Sequence, residues 1–102
     1  MTQQELITER MEQLGMTWYA LAKETGIHQG TLSKFKRGAF TLKAPRIVEP
    51  LAEALMISPD DIYLAGNHLP PDVAAGIIRH PELVNVIRTL TTKLDTQKRR
   101  HS

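Results

Sequence analysis

The stretch from Thr17 to Gly38 leaves this chain few folds to choose from. Thr17 is a good helix N-cap, and Gly26 ends the helix that follows because a residue without Cβ tolerates positive φ. A second helical run, from about Gln29 to Arg37, closes at Gly38. Leu21, Ala22, Ile27, Leu32 and Phe35 are spaced so that the two short helices pack together, and Ala22 is small, as a close helix crossing requires. The positions left outside carry small, amide or cationic groups: Gln29, Gly30, Ser33, Lys34, Lys36 and Arg37. Between Thr25 and Val48 there is no carboxylate, yet there are five Lys or Arg.

That basic block matters because the chain as a whole is nearly balanced, with a formal net charge of +2. The segment before it (Thr2 to Leu14) is acidic on balance, and Glu49 to Glu82 carries six carboxylates against Arg79 alone. Basic residues gathered between acidic flanks point to a polyanion met on one face. The 102 residues allow one domain with a small appendage. With no cysteine, disulfides, thiolate metal sites and cysteine nucleophiles are excluded. No apolar run approaches the roughly 20 residues that span a bilayer, and no signal-peptide pattern opens the chain, so the expected location is cytoplasmic.

Around the central pair the chain reads as helix throughout. Thr2 and Glu5 form a capping box for a first helix over Gln3 to Leu14, with Leu6 or Ile7, Met11 and Leu14 inward. Ala39 to Ala44 is a loop carrying Lys43. A fourth helix starts near Arg46 or Ile47 with an irregular first turn, since Pro45 and Pro50 lie five apart; Ile47 or Val48, Leu51, Ala52 and Leu55 face inward. Ser58-Pro59-Asp60-Asp61 is a strong helix start, with Ile62, Tyr63 and Leu64 as the apolar side and Gly66 as the stop. Asn67 to Pro71 reads as a linker. A short helix over Asp72 to His80 follows, then one opened by Pro81-Glu82 and running to about Lys98. Leu83, Ile87, Leu90 and Leu94 form a single apolar stripe on that last helix. It either folds back or pairs with a second copy, and the dimerising reading is favoured. The expected organisation is residues 1–66 as the main domain, 67–71 as linker, 72–98 as a helical dimerisation element and 99–102 as a basic disordered tail.

Chemically, the residues suit recognition better than catalysis. His28, His68, His80 and His101 show no metal-ligand spacing with one another or with carboxylates, and Asp60 and Asp61 are helix-start acids. No Ser–His–acid set or phosphate-cradling glycine loop occurs, so no catalytic residue, metal or cofactor is expected. In contrast, a helix with Gln29, Gly30, Ser33 and Lys34 near its outer N-terminal side carries what the DNA major groove can use. Gln offers a paired donor and acceptor to adenine, and Lys donates to guanine.

The framework Leu21-Ala22, Gly26-Ile27, Leu32, Phe35 and Gly38, followed by LKAPRIVEPLAEALMISPDDIYLAG, resembles the lambda-repressor-like (Cro/repressor, xenobiotic-response-element type) helix-turn-helix family from Leu6 to about Gly66. The resemblance implies an all-α, five-helix DNA-binding domain, here followed by one or two C-terminal helices, that binds double-stranded operator DNA as a dimer. Carried over by position, its base-reading places fall on Gln29, Gly30 and Lys34, with His28 and Ser33 beside them. Its phosphate-contact places fall on Thr17, Trp18, Lys36, Arg37 and Lys43. Trp18 stands where many members have Gln, His28 where a Ser or Thr cap is usual, and Gly30 where a base-reading side chain is common. The expected function is a sequence-specific transcriptional regulator, a repressor of bacterial or phage type. The alternative is a protein-interaction module, antitoxin-like or a co-regulator, whose C-terminal helices hold a protein partner.

Overall fold

The computed structural model describes residues 1–100, and every regular element among them is a helix. In chain order these are α1 (Gln3–Leu14), α2 (Trp18–Thr25), α3 (Gln29–Lys36), α4 (Pro45–Leu55), α5 (Pro59–Ala65), α6 (Pro71–Arg79) and α7 (Leu83–Arg100). They fall into two compact units, Met1–Pro70 and the part from Pro71 onward.

In the first unit α4 is the hub, packing on α1, α2 and α5, while α3 sits on α2. Its inward stripe is Val48, Leu51, Ala52 and Leu55, which meets Ile7 and Met11 of α1, Leu21 and Ala22 of α2, Leu32 and Phe35 of α3 and Ile62 and Tyr63 of α5. Local signals set the helix ends. The Thr2 hydroxyl accepts from the Glu5 N–H at 3.1 Å and the Thr2 N–H donates to the Glu5 carboxylate at 3.3 Å, which completes the capping box. Thr17 accepts from the Ala20 N–H at 3.1 Å and Ser58 from the Asp60 N–H at 3.2 Å, with Pro59 at the first position of α5. Gly26, at φ 74°, ends α2 in a left-handed conformation that an L side chain rarely adopts.

The structure corrects several expectations. Leu14 and Leu64 are not core residues; they are 36% and 56% exposed, because Ile7 with Met11, and Ile62 with Tyr63, already fill the inward sides of their helices. Leu42, in the segment read only as a loop, is buried and Phe40 packs beside the core. Helix α4 starts at Pro45, and in its first turn the Ala44 carbonyl is shared by the Ile47 N–H, three residues on, and the Val48 N–H, four residues on, both at 2.9 Å. Pro50 therefore lies inside the helix and gives no N–H to the Arg46 carbonyl, an arrangement held by the burial of Val48, Leu51 and Leu55 around it. Arg37 caps α3 rather than belonging to it.

The loop after α3 is fastened by a residue at the start of α1. Gln3 is 2% exposed, and its side chain donates to the Leu42 and Ile62 carbonyls and accepts from the Leu42 N–H, all at 2.8 Å. Both N–H donors and the oxygen of this buried amide are thereby engaged, and among the described residues no buried side-chain N or O lacks a partner. Gly66 makes room for this clamp. A Cβ there would collide with the Gln3 amide and stand 2.7 Å from the Thr41 methyl.

The second unit is built differently. Helix α6 has no buried residue. Pro81 and Glu82, expected to open the last helix, form a turn in which the Leu83 N–H reaches the His80 carbonyl at 2.9 Å, so α7 begins at Leu83. It continues to Arg100 rather than stopping at Lys98, since Lys98-Arg99-Arg100 contains no helix breaker and puts cations at the negative end of the helix dipole. Residues 99 and 100 of the expected basic tail are thus helical, whereas His101 and Ser102 lie outside the described residues. Leu83, Ile87, Leu90 and Leu94 are 37%, 44%, 53% and 58% exposed.

Candidate nucleic-acid interface

Burying Leu32 and Phe35 fixes how α3 is turned about its axis. At 100° per residue the opposite side of the helix is centred on Gly30, Ser33 and Arg37, with Gln29 and Lys36 on one flank and Lys34 on the other. Gln29, Ser33, Lys34, Lys36 and Arg37 are all exposed. The outermost line thus begins with two small residues, which lets the helix backbone come close to whatever lies against it.

On the Gln29 and Lys36 flank, α3 and the start of α2 enclose an open cleft of about 360 Å³. Trp18 and Tyr19 form one wall, Gln29, Gly30, Ser33 and Lys36 the other, and Leu32 closes the floor. The structure therefore brings Trp18, Gln29, Gly30, Ser33 and Lys36 together. Lys34 sits across the helix from the cleft. Thr17 and His28 are occupied at the helix starts, and Lys43 is exposed beside the clamped Leu42. The residues expected to dimerise, Leu83, Ile87, Leu90 and Leu94, belong to the other unit.

Trp18 has two roles in the structure. It is half-buried against the core, and the Lys36 ammonium lies 5.6 Å from the centroid of its ring. No carboxylate pairs with Lys34, Lys36, Arg37 or Lys43 among the described residues, so their charge is not neutralised within the protein.

His28 turns out to be a working cap. Its Nδ1 accepts from the Gly30 N–H at 3.0 Å, which requires that nitrogen to be unprotonated. Gly30 is bound up with it, because a Cβ at that position would stand 3.0 Å from Nδ1 and 3.3 Å from Cε1 of the ring. At the other end of α3, the Gln4 amide donates to the Phe35 carbonyl at 3.1 Å, and the Ala39 N–H reaches the Lys34 carbonyl at 3.0 Å. Both ends of the exposed helix are therefore tied down.

Sequence reasoning missed Tyr19, which is 65% exposed beside the cleft, and the two glutamines of α1 that support α3 and its loop. A signal for Gln3 was present: it lies on the Ile7–Met11 stripe at four-residue spacing, so it had to be an inward amide in need of partners. Among the described residues no group of three or more His, Asp or Glu could hold a metal ion, and no helix is long and apolar enough to cross a membrane.

A profile of the helix-turn-helix family HTH_3 matches residues 7–62, more than half of the chain. Searches of curated proteins and of solved structures find no match. The matched segment contains α2, α3 and the core that orients them, and the chain belongs to the lambda-repressor-like helix-turn-helix family of DNA-binding transcription regulators.

Proposed function

We propose that this protein is a sequence-specific regulator of transcription, a repressor of bacterial or phage type that works in the cytoplasm on double-stranded operator DNA. The observation that carries the proposal is the outer side of α3: small at its centre, flanked by Gln29 and Lys34, and surrounded by cations that no carboxylate neutralises. Such a helix enters a major groove with Gln29, Ser33 and Lys34 towards base edges, while Gly30 brings the backbone close and His28 holds the helix start in shape. Thr17, Trp18, Lys36, Arg37 and Lys43 then face the phosphates. Repression follows from occupancy, because a bound protein excludes others from the same DNA.

Two copies paired through Leu83, Ile87, Leu90 and Leu94 present two α3 helices to half-sites about 34 Å apart. The exposure of that stripe also supports a second reading, in which α6 and α7 hold a different protein and the DNA-binding unit serves as an adaptor.

Selection from random-sequence duplexes, followed by salt titration of the winners, tests the proposal. The expected result is an enriched two-part motif whose log affinity falls with log salt at a slope of about −0.9 per phosphate contacted. Failure to enrich any motif would favour the protein-holding reading.

A further inference from the structure

The first helix of the pair and the end of the second are joined by a contact that base readout alone does not call for. Trp18, at the first position of α2, is half-buried, so its ring is held by the core. Lys36, at the last position of α3, is exposed and brings its ammonium to within 5.6 Å of the centroid of that ring. Both stand in the walls of the cleft that also receives Gln29 and Ser33.

We propose that Trp18 is a positioning residue for Lys36, holding the ammonium at the cleft so that it meets a DNA phosphate already ordered. The inference rests on the DNA-binding reading above. A lysine stem is flexible, and ordering it on binding opposes affinity. A carboxylate neighbour would order it but would also cancel the charge that a phosphate needs. An aromatic face orders it without neutralising it, and leaves ammonium N–H groups free to donate. Among the described residues no other cation on the outer side of α3 has an aromatic partner, and Lys34 and Arg37 are exposed. Trp18 thus acts through Lys36 and not by reading a base.

The test combines a contact measurement on the free protein with a double-substitution cycle on DNA. In the free protein the Lys36 side-chain methylene protons should be shifted upfield by the indole ring in an NMR spectrum, and Trp18→Leu should abolish that shift. On the selected duplex, Trp18→Leu should weaken binding about two- to fivefold in the Lys36 protein and by a clearly smaller factor in a Lys36→Gln background. Trp18→Phe, which keeps an aromatic face and most of the packing, should recover part of the loss, and it replaces Trp18→Leu in the cycle if the leucine variant does not fold. Lys36→Gln alone should reduce the salt slope by about 0.9. Additive effects of the two substitutions, or an unshifted Lys36 methylene signal, would overturn this inference while leaving DNA binding intact. A shifted signal in a chain that binds no duplex would overturn the DNA reading and the inference together.

Discussion

The two units of this chain solve the problem of burial in opposite ways. The first, through Pro70, encloses a core with contributions from five helices and satisfies its buried amide, Gln3, with three hydrogen bonds. The second buries nothing in α6 and leaves the apolar stripe of α7 between a third and three-fifths exposed. A unit of the first kind holds its shape on its own residues. One of the second kind leaves apolar surface exposed, which is why we propose assembly for the second unit, while the family match places DNA binding in the first.

The sharpest way to break this contrast is to delete a large side chain from each unit. Phe35→Ala should cost about 3–5 kcal/mol of unfolding free energy, because the ring is fully buried between the two helices of the pair. Leu90→Ala, at low protein concentration, should cost less than about 0.5 kcal/mol. Chemical denaturation of both variants checks the pair of values. A large loss at Leu90 under those conditions would mean that the stripe is buried within a single copy.

Gln3→Leu comes next. It keeps the volume but strands the Leu42 N–H and takes a donor from the Leu42 and Ile62 carbonyls, of which Ile62 still accepts from the Gly66 N–H, for a loss of about 2–3 kcal/mol. Hydrogen exchange at the Leu42 amide should rise along with it, since that N–H gives its hydrogen to the Gln3 oxygen.

Phe35 and Gln3 also mark what the sequence did and did not reveal. The helix starts at Thr2, Thr17 and Ser58 were legible because a cap is a local event that one side chain and the next turn decide. The core faces of α2, α3 and α4 were legible from spacing. The burial of Leu42 and the clamp from Gln3 were not, because they join residues 39 apart and depend on how the helices meet. In the interface the basic block was plain to read, but the placing of Lys36 on Trp18 and the His28 cap over Gly30 needed the geometry. A histidine is a poor cap candidate by type, and a Cβ at position 30 would press on its ring at 3.0–3.3 Å.

His28→Ala should therefore loosen the start of α3 by about 1 kcal/mol, seen as faster exchange at the Gly30 amide, and His28→Ser should restore it. The smallest effect concerns Glu5. Hydrogen bonds from Thr2, chiefly its backbone N–H and then its hydroxyl, hold this carboxyl below its ordinary value of 4.5. Below that value the unfolded chain binds more protons at this site than the folded one. The site's small stabilising contribution is thus complete above 4.5 and disappears as pH falls through the lower folded value. In melting curves run downward from neutral pH, Glu5→Gln should lack this part of the acid-side decline.

The division of labour between the units is tested most directly by Leu90→Lys, a charge placed in the exposed stripe of α7, using the selected duplex with one or two half-sites. Sedimentation should show a dimer for the unsubstituted chain and a monomer for the variant. The variant should lose affinity for the two-site duplex, yet bind a single half-site as the unsubstituted chain does. A variant that still dimerises and binds both duplexes unchanged would contradict the assignment of assembly to α7.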